Sequence, residues 1–162
     1  MARPTFDYRH QVTLEETNLL GNVYFAHYLR WQGQCRERFL AERAPGVFAA
    51  LGPELTLVTV SCGCDYYAEL LVLDIVELRM SLLGSPANQV HMSFDYYRLG
   101  AGTAELVARG RQVVACARRD GRSMRPVDIP AELQNALIPY SVDAARVDAV
   151  TADIAMPPAV FQ

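Results

Sequence analysis

Apolar side chains recur at spacings of three and four from Val23 to about Arg43, a pattern that predicts one long helix. Phe25, Tyr28, Leu29, Gln32, Cys35, Arg36 and Phe39 fall on a single face of it. That stripe is apolar except at Gln32 and Arg36, and an inward arginine is costly unless something there needs its charge. Ahead of the helix, Tyr8 to Leu14 reads as a strand with Val12 and Leu14 on one face. The segment EETNLLGN joins the two, and its Asn18, Gly21 and Asn22 are turn and helix-start residues. After the helix, Pro45-Gly46 and Gly52-Pro53 bracket a short helical piece, VFAAL. Four long runs rich in Val, Leu, Tyr and Phe follow, Leu55–Ala68, Leu73–Leu83, Gln89–Leu99 and Thr103–Arg118, with hairpin-length breaks between them. Pro126 and Pro130 end the strands, and Ala131 to Leu137 reads as a last helical turn.

One strand, one five-turn helix and four antiparallel strands make an α+β layout. The helix must bury its stripe, and the sheet is the only surface large enough to receive it. A five-stranded antiparallel sheet wrapped around a long central helix is the hotdog fold. Its open edges invite pairing with a second copy. Residues 1–140 form this domain, and 141–162, with Pro157 and Pro158, form a C-terminal tail.

Composition narrows the chemistry. All fifteen basic residues are arginine, so a lysine nucleophile or Schiff base is excluded. The net charge of −3 argues against general nucleic-acid binding. No apolar run reaches the ~18 residues of a membrane span, and the N-terminus lacks a secretory layout, so the chain is expected in the cytoplasm. Cys35, Cys62, Cys64 and Cys116 lack metal-ligand spacing and are expected as small buried hydrophobes. His10, His27 and His91 are dispersed, and no metal site is expected. Ser61, Ser81 and Ser93 lack a GxSxG context, and Gly100-Ala-Gly102 is no dinucleotide or phosphate loop, so no cofactor is expected. In the doublets Tyr66-Tyr67 and Tyr96-Tyr97, one ring of each is expected in the core, and Trp31 at a subunit contact or pocket rim.

The segment ETNLLGNVYFAHYLRWQGQCRERFL, with FDYYRLG and LVARGRQVVAC further on, resembles the enediyne biosynthesis thioesterases. These are a branch of the hotdog acyl thioesterases related to 4-hydroxybenzoyl-CoA thioesterase. The resemblance runs to about Tyr140. In that wider family an Asp stands three residues before a Gly in this turn, and many members carry a Glu on the helix. Here Asn18 and Gly33 occupy those places, so both carboxylates are missing. The resemblance implies that Asn18 and Arg36 do the catalytic work, that Thr59 lines the pocket, and that the assembly is a homotetramer of two dimers with sites at the dimer interface.

Those residues suit the reaction. Hydrolysis of a thioester builds negative charge on the carbonyl oxygen, and preorganised donors there are usually the largest rate effect. Gly21, Asn22, Val23 and Tyr24, at the expected helix start, would offer backbone N–H groups. The guanidinium of Arg36, in its own subunit's site or the partner's, can hold an oxyanion, enolate or carboxylate at two points. Asn18 takes no proton at neutral pH, so it orients water or polarises the carbonyl. Tyr28 is core lining or a hydrogen-bond donor to substrate, and Gln32, on the same face, is expected with Tyr28 and Thr59 to bind substrate. The base stays open among Glu15, Glu16, Glu37, His27 and bulk water. The expected partner is the acyl carrier protein of an iterative polyketide synthase, met by Arg30, Arg38, Arg118, Arg119 or Arg122, and the expected substrate a polyene β-ketoacyl chain. A general acyl-CoA thioesterase and a non-catalytic acyl-binding partner of the synthase are the alternatives.

Overall fold

The computed structural model describes residues 4–143 and Val147. Strand β1 (Phe6–Gln11) leads through a 3-10 turn at Leu14–Glu16 into helix α1 (Ala26–Arg43) and the short α2 (Pro45–Ala50). Strands β2 (Thr56–Tyr66), β3 (Ile75–Gly84), β4 (Gln89–Leu99), β5 (Ala104–Asp120) and β6 (Ser123–Pro126) follow, then α3 (Ala131–Leu137) and a 3-10 turn at Ile138–Tyr140. The strands form one antiparallel sheet in the order β1-β3-β4-β5-β2, with β6 hairpinned onto β5. Most of the expected tail lies outside the described residues; its first residues join the fold, Val142 N–H donating to the Leu82 carbonyl at 3.0 Å.

Alternation along the strands decides which face meets α1. Val76, Leu78, Met80 and Leu82 of β3 and Val90, Met92, Phe94 and Tyr96 of β4 are all buried. They receive Tyr28, Trp31, Cys35, Phe39 and Leu40 from the helix in one hydrophobic core. Trp31 is fully enclosed there, not at a rim, and removing it costs about 3–5 kcal/mol. The helix ends at Ala44 because Pro45 disfavours helical geometry in the residue before it while suiting the first position of α2.

Several boundaries differ from the sequence expectation. Leu14 is exposed instead of sharing the face of Val12, because the Glu16 carboxylate folds back onto the Thr13 N–H at 2.8 Å and closes a 3-10 turn. Helix α1 begins three residues later than Val23, since Asn22 and Val23 form β-bridges to Leu71 and Thr17. The sheet has six strands, β6 being a short exposed hairpin strand turned at Gly121. Tyr96 is buried as expected of its doublet, but Tyr66 and Tyr67 are both exposed, as is Cys62. Cys62 and Tyr66 lie in the edge strand β2 and Tyr67 directly follows it, and no described strand covers its outer side.

Candidate active site

The EETNLLGN turn closes on itself. Asn18 N–H donates to the Asn22 carbonyl at 2.8 Å, and Gly21 N–H to the Asn18 carbonyl at 3.0 Å. Gly21 has φ +86°, a conformation that a side chain would strain. The Asn18 side chain belongs to the turn as well, its Oδ1 accepting the Leu20 N–H at 2.8 Å. Its NH₂ is therefore the end left for another partner. Val23 N–H donates to the Leu70 carbonyl and Tyr24 N–H to the Glu16 carbonyl, both at 2.9 Å. Gly21, Val23 and Tyr24 thus commit their amides to the fold. The open N–H groups at the helix start are those of Phe25 and Ala26, which meet no acceptor among the described residues. Asn22 donates its Nδ2 to Glu69 Oε1 at 2.8 Å and keeps a buried Oδ1 without a partner.

Asn18, Asn22, Phe25, Tyr28, Tyr66 and Tyr67 line a cleft of about 420 Å³. Tyr28 is buried, its ring edge-on to Tyr66 at 4.9 Å between centroids. Tyr66 donates its hydroxyl to the Phe25 carbonyl at 2.9 Å. Burial raises both phenols, that of Tyr66 to about 12, so neither exchanges a proton at neutral pH.

Arg36 stands ten residues beyond Ala26, about 15 Å along the helix. It borders a different cleft of about 440 Å³ between α1, α2 and the start of β2, walled by Leu40, Phe48, Leu51, Leu55 and Leu57. Its Nη1 donates to Thr59 Oγ1 at 3.2 Å and to Gln112 Oε1 at 2.9 Å. Both partners are neutral. Burial lowers the arginine's proton affinity, and the neighbouring Glu37 opposes that shift. Within one chain, then, Asn18 and Arg36 line separate clefts and are not brought together. Gln32, from the same helix face, is fully buried, donating to the Gly63 carbonyl at 3.1 Å. A methyl group at Gly110 would lie 2.2 Å from its Nε2, so a side chain there would have to displace the Gln32 amide.

Glu16 is not available as a base. Its carboxylate holds His10 Nε2 at 2.8 Å, Trp31 Nε1 at 3.0 Å and the Thr13 N–H. Burial alone would raise its pKa, but these three donors overcome it and hold the carboxyl down at about 2. Burial raises the thiols of Cys35, Cys64 and Cys116, that of Cys64 to about 12, which leaves them poor nucleophiles. Among the described residues no cluster of His, Cys, Asp and Glu could hold a metal, and no helix is long and apolar enough to cross a membrane.

The model of the thioesterase-like superfamily matches residues 12–137. The chain is 56% identical to the dynemicin thioesterase, covering 86% of this chain and 99% of that one, with a TM-score of 0.83. The chain belongs to the hotdog thioesterases, in the enediyne branch. A protein of Pseudomonas aeruginosa PAO1 is 26% identical, covering 88% and 99% of the two chains, with a TM-score of 0.75. A 4-hydroxybenzoyl-CoA thioesterase variant bound to 4-hydroxybenzoyl-CoA is 17% identical over 84% and 99%, with a TM-score of 0.70, and shares the fold. No curated protein matches the chain.

As a thioester hydrolase it lacks a carboxylate at the two places noted above, Asn18 and Gly33. What this thioesterase presents instead is donors: the Asn18 amide, the open N–H groups of Phe25 and Ala26, and the Arg36 guanidinium. Sequence reasoning missed Gln112 and the anchoring role of Glu16. Both left a trace, Gln112 as the lone long polar residue among Ala108, Gly110, Val114 and Cys116 on the helix-facing side of β5, and Glu16 in the Thr-x-x-Glu spacing from Thr13.

Proposed function

We propose that this thioesterase hydrolyses a long unsaturated β-ketoacyl thioester carried by the acyl carrier protein of an iterative polyketide synthase in enediyne biosynthesis. The observation that carries the reading is Arg36, a half-buried cation in a mostly apolar cleft with no carboxylate within ion-pair distance among the described residues. Such a group suits an anionic reaction centre. The dynemicin relative, whose crystal structures concern polyene binding, supports a polyene chain.

Water or hydroxide forms a bond to the thioester carbon, and the carbonyl π pair moves onto the oxygen as an oxyanion, which the Asn18 NH₂, the Phe25 and Ala26 N–H groups and Arg36 hold by hydrogen bonds. The carbon–sulfur bond then breaks, and the thiolate takes up a proton. Products are a β-keto acid and the free carrier thiol. Loss of carbon dioxide from that acid gives a methyl ketone.

The two clefts become one site in a dimer. Among the described residues β2 is an uncovered edge strand whose first residues border the Arg36 cleft and whose last residue borders the Asn18 cleft. Antiparallel pairing of β2 with its two-fold copy sets the Tyr66 end of one protomer against the Thr56 end of the other. Asn18 of one chain thereby faces Arg36 of its partner. Exposed Leu19, Leu20, Tyr24, Phe25, Val60 and Tyr67 supply apolar surface for that contact and for a dimer of dimers. Arg118, Arg119 and Arg122 project from the exposed β5–β6 hairpin, and Arg119 reaches the rim of the Arg36 cleft, a place suited to an acidic carrier protein. The free cysteines fit a reducing cytoplasm.

The test is hydrolysis of matched β-ketoacyl and plain acyl thioesters on carrier protein and on coenzyme A. The reading expects carrier-bound β-ketoacyl thioester to be cleaved fastest. Equal rates on all four would favour a general acyl-CoA thioesterase, and binding without turnover a non-catalytic partner of the synthase.

A further inference from the structure

We propose that Gln112 is a positioning residue that fixes the Arg36 guanidinium while leaving its charge unneutralised, so that the anion it meets is the substrate's. This inference rests on Arg36 serving the reaction. Gln112 is 5% exposed and sits on the helix-facing side of β5, opposite Cys62 of β2 and Met92 of β4. A buried amide among apolar neighbours is costly without a partner, and its Oε1 finds one in Arg36 Nη1. Thr59 completes the cradle from β2. Thr59, paired opposite Val114, lies on the helix-facing side of β2, and the register slip between Thr59 and Ser61 puts Cys62, opposite Gln112, on that side too.

Two consequences follow from the bonding pattern. Both contacts fall on the same nitrogen, Nη1, so Nε and Nη2, the edge that grips an oxyanion at two points, meet no acceptor among the described residues. Neither partner carries charge. Arg9, Arg38, Arg79, Arg98, Arg109, Arg111 and Arg125 each pair with a carboxylate. The described arginines without such a partner are exposed, except Arg36. A glutamate of nearly the same shape at position 112 would give Arg36 a permanent counter-ion. The glutamine keeps the orientation and withholds the charge.

The experiment compares Gln112→Glu, Gln112→Leu and Arg36→Ala with the wild type in three readouts: kcat/KM on a β-ketoacyl thioester, inhibition by the product carboxylate, and melting temperature. Gln112→Glu is expected to lower kcat/KM by about 100-fold and weaken product inhibition comparably, with an unchanged or higher melting temperature, because the new carboxylate occupies the guanidinium. Gln112→Leu frees the guanidinium to wander, so its kcat falls about 10-fold while carboxylate inhibition stays within a few-fold of wild type. If Gln112→Glu does not fold, Thr59→Asp brings the carboxylate from the exposed side and must likewise fall below Gln112→Leu in activity and inhibition. Wild-type rates in Gln112→Glu, a leucine variant worse than the glutamate variant, or activity lost in step with melting temperature would overturn the proposal. Full activity in Arg36→Ala would instead remove the reading on which it rests.

Discussion

Glu16, packed against helix α1, and Arg36, carried by that helix, are both charged, and the fold treats them in opposite ways. Glu16, near the start of the helix, is surrounded by donors: His10, the Thr13 N–H and the Trp31 indole. Arg36, further along it, has two neutral acceptors on one nitrogen and opens onto a cleft walled mostly by leucines, with Glu37 and Arg119 also lining it. A satisfied buried charge holds elements together, here β1, the Thr13 turn and α1. An unsatisfied one costs stability and is retained only where its charge has a further use. The contrast separates anchor from reagent more sharply than burial or residue type does.

The strongest way to break the comparison is to remove each charge in turn. Arg36→Met is expected to lower kcat/KM by about 100- to 1000-fold, the range for losing a preorganised oxyanion donor. Its unfolding free energy should change by no more than about 1–2 kcal/mol, since the release of a half-buried cation offsets the cost of leaving Gln112 Oε1 without its donor. Steady-state kinetics beside urea titration measure both. Glu16→Leu should do the reverse, costing about 2–4 kcal/mol of stability by stranding the Trp31 and Thr13 donors. Any loss of rate in that variant should track the loss of folded protein.

A pH titration sharpens the anchor further. The carboxyl of Glu16 titrates near 2 in the folded chain and at its ordinary value, 4.5, when unfolded. A depressed folded pKa means that its stabilisation is complete above the unfolded value and fades as pH falls from 4.5 toward 2. Glu16→Gln should flatten that part of the stability curve, as followed by denaturant midpoints at each pH. The smallest effect concerns the helix between the two charges. Nothing lies within 4 Å of a methyl group built on Gly33, so Gly33→Ala should raise stability by about 1 kcal/mol in thermal melts.

Much of this was legible in the sequence because periodicity survives translation into packing. The 3.6 repeat of α1 and the alternation of β4 were read nearly to their ends, as Gln89–Leu99 shows. Turn detail was less legible. Asn18, Gly21 and Asn22 mark a turn, but nothing in their order says that Val23 would bridge Thr17 and push the helix start to Ala26. Trp31, three residues after Tyr28 and four before Cys35, shares the buried face by spacing alone; what the spacing hides is that its indole N–H is held by Glu16 from another element. The separation of Asn18 from Arg36 was hidden for a different reason. Both lie on one continuous segment, and which clefts they border depends on α2 and β2, which arrive later in the chain.

The shared site proposed across the β2 edge can be tested by complementation. Asn18→Ala and Arg36→Ala chains, each inactive alone, are unfolded together, refolded as mixed dimers and assayed for thioester hydrolysis. If Asn18 of one chain works with Arg36 of its partner, half the dimers are mixed and each regains one intact site of two, giving roughly a quarter of wild-type activity. Activity no greater than that of the separate variants, in a preparation proven to contain mixed dimers, would contradict a site built from both chains.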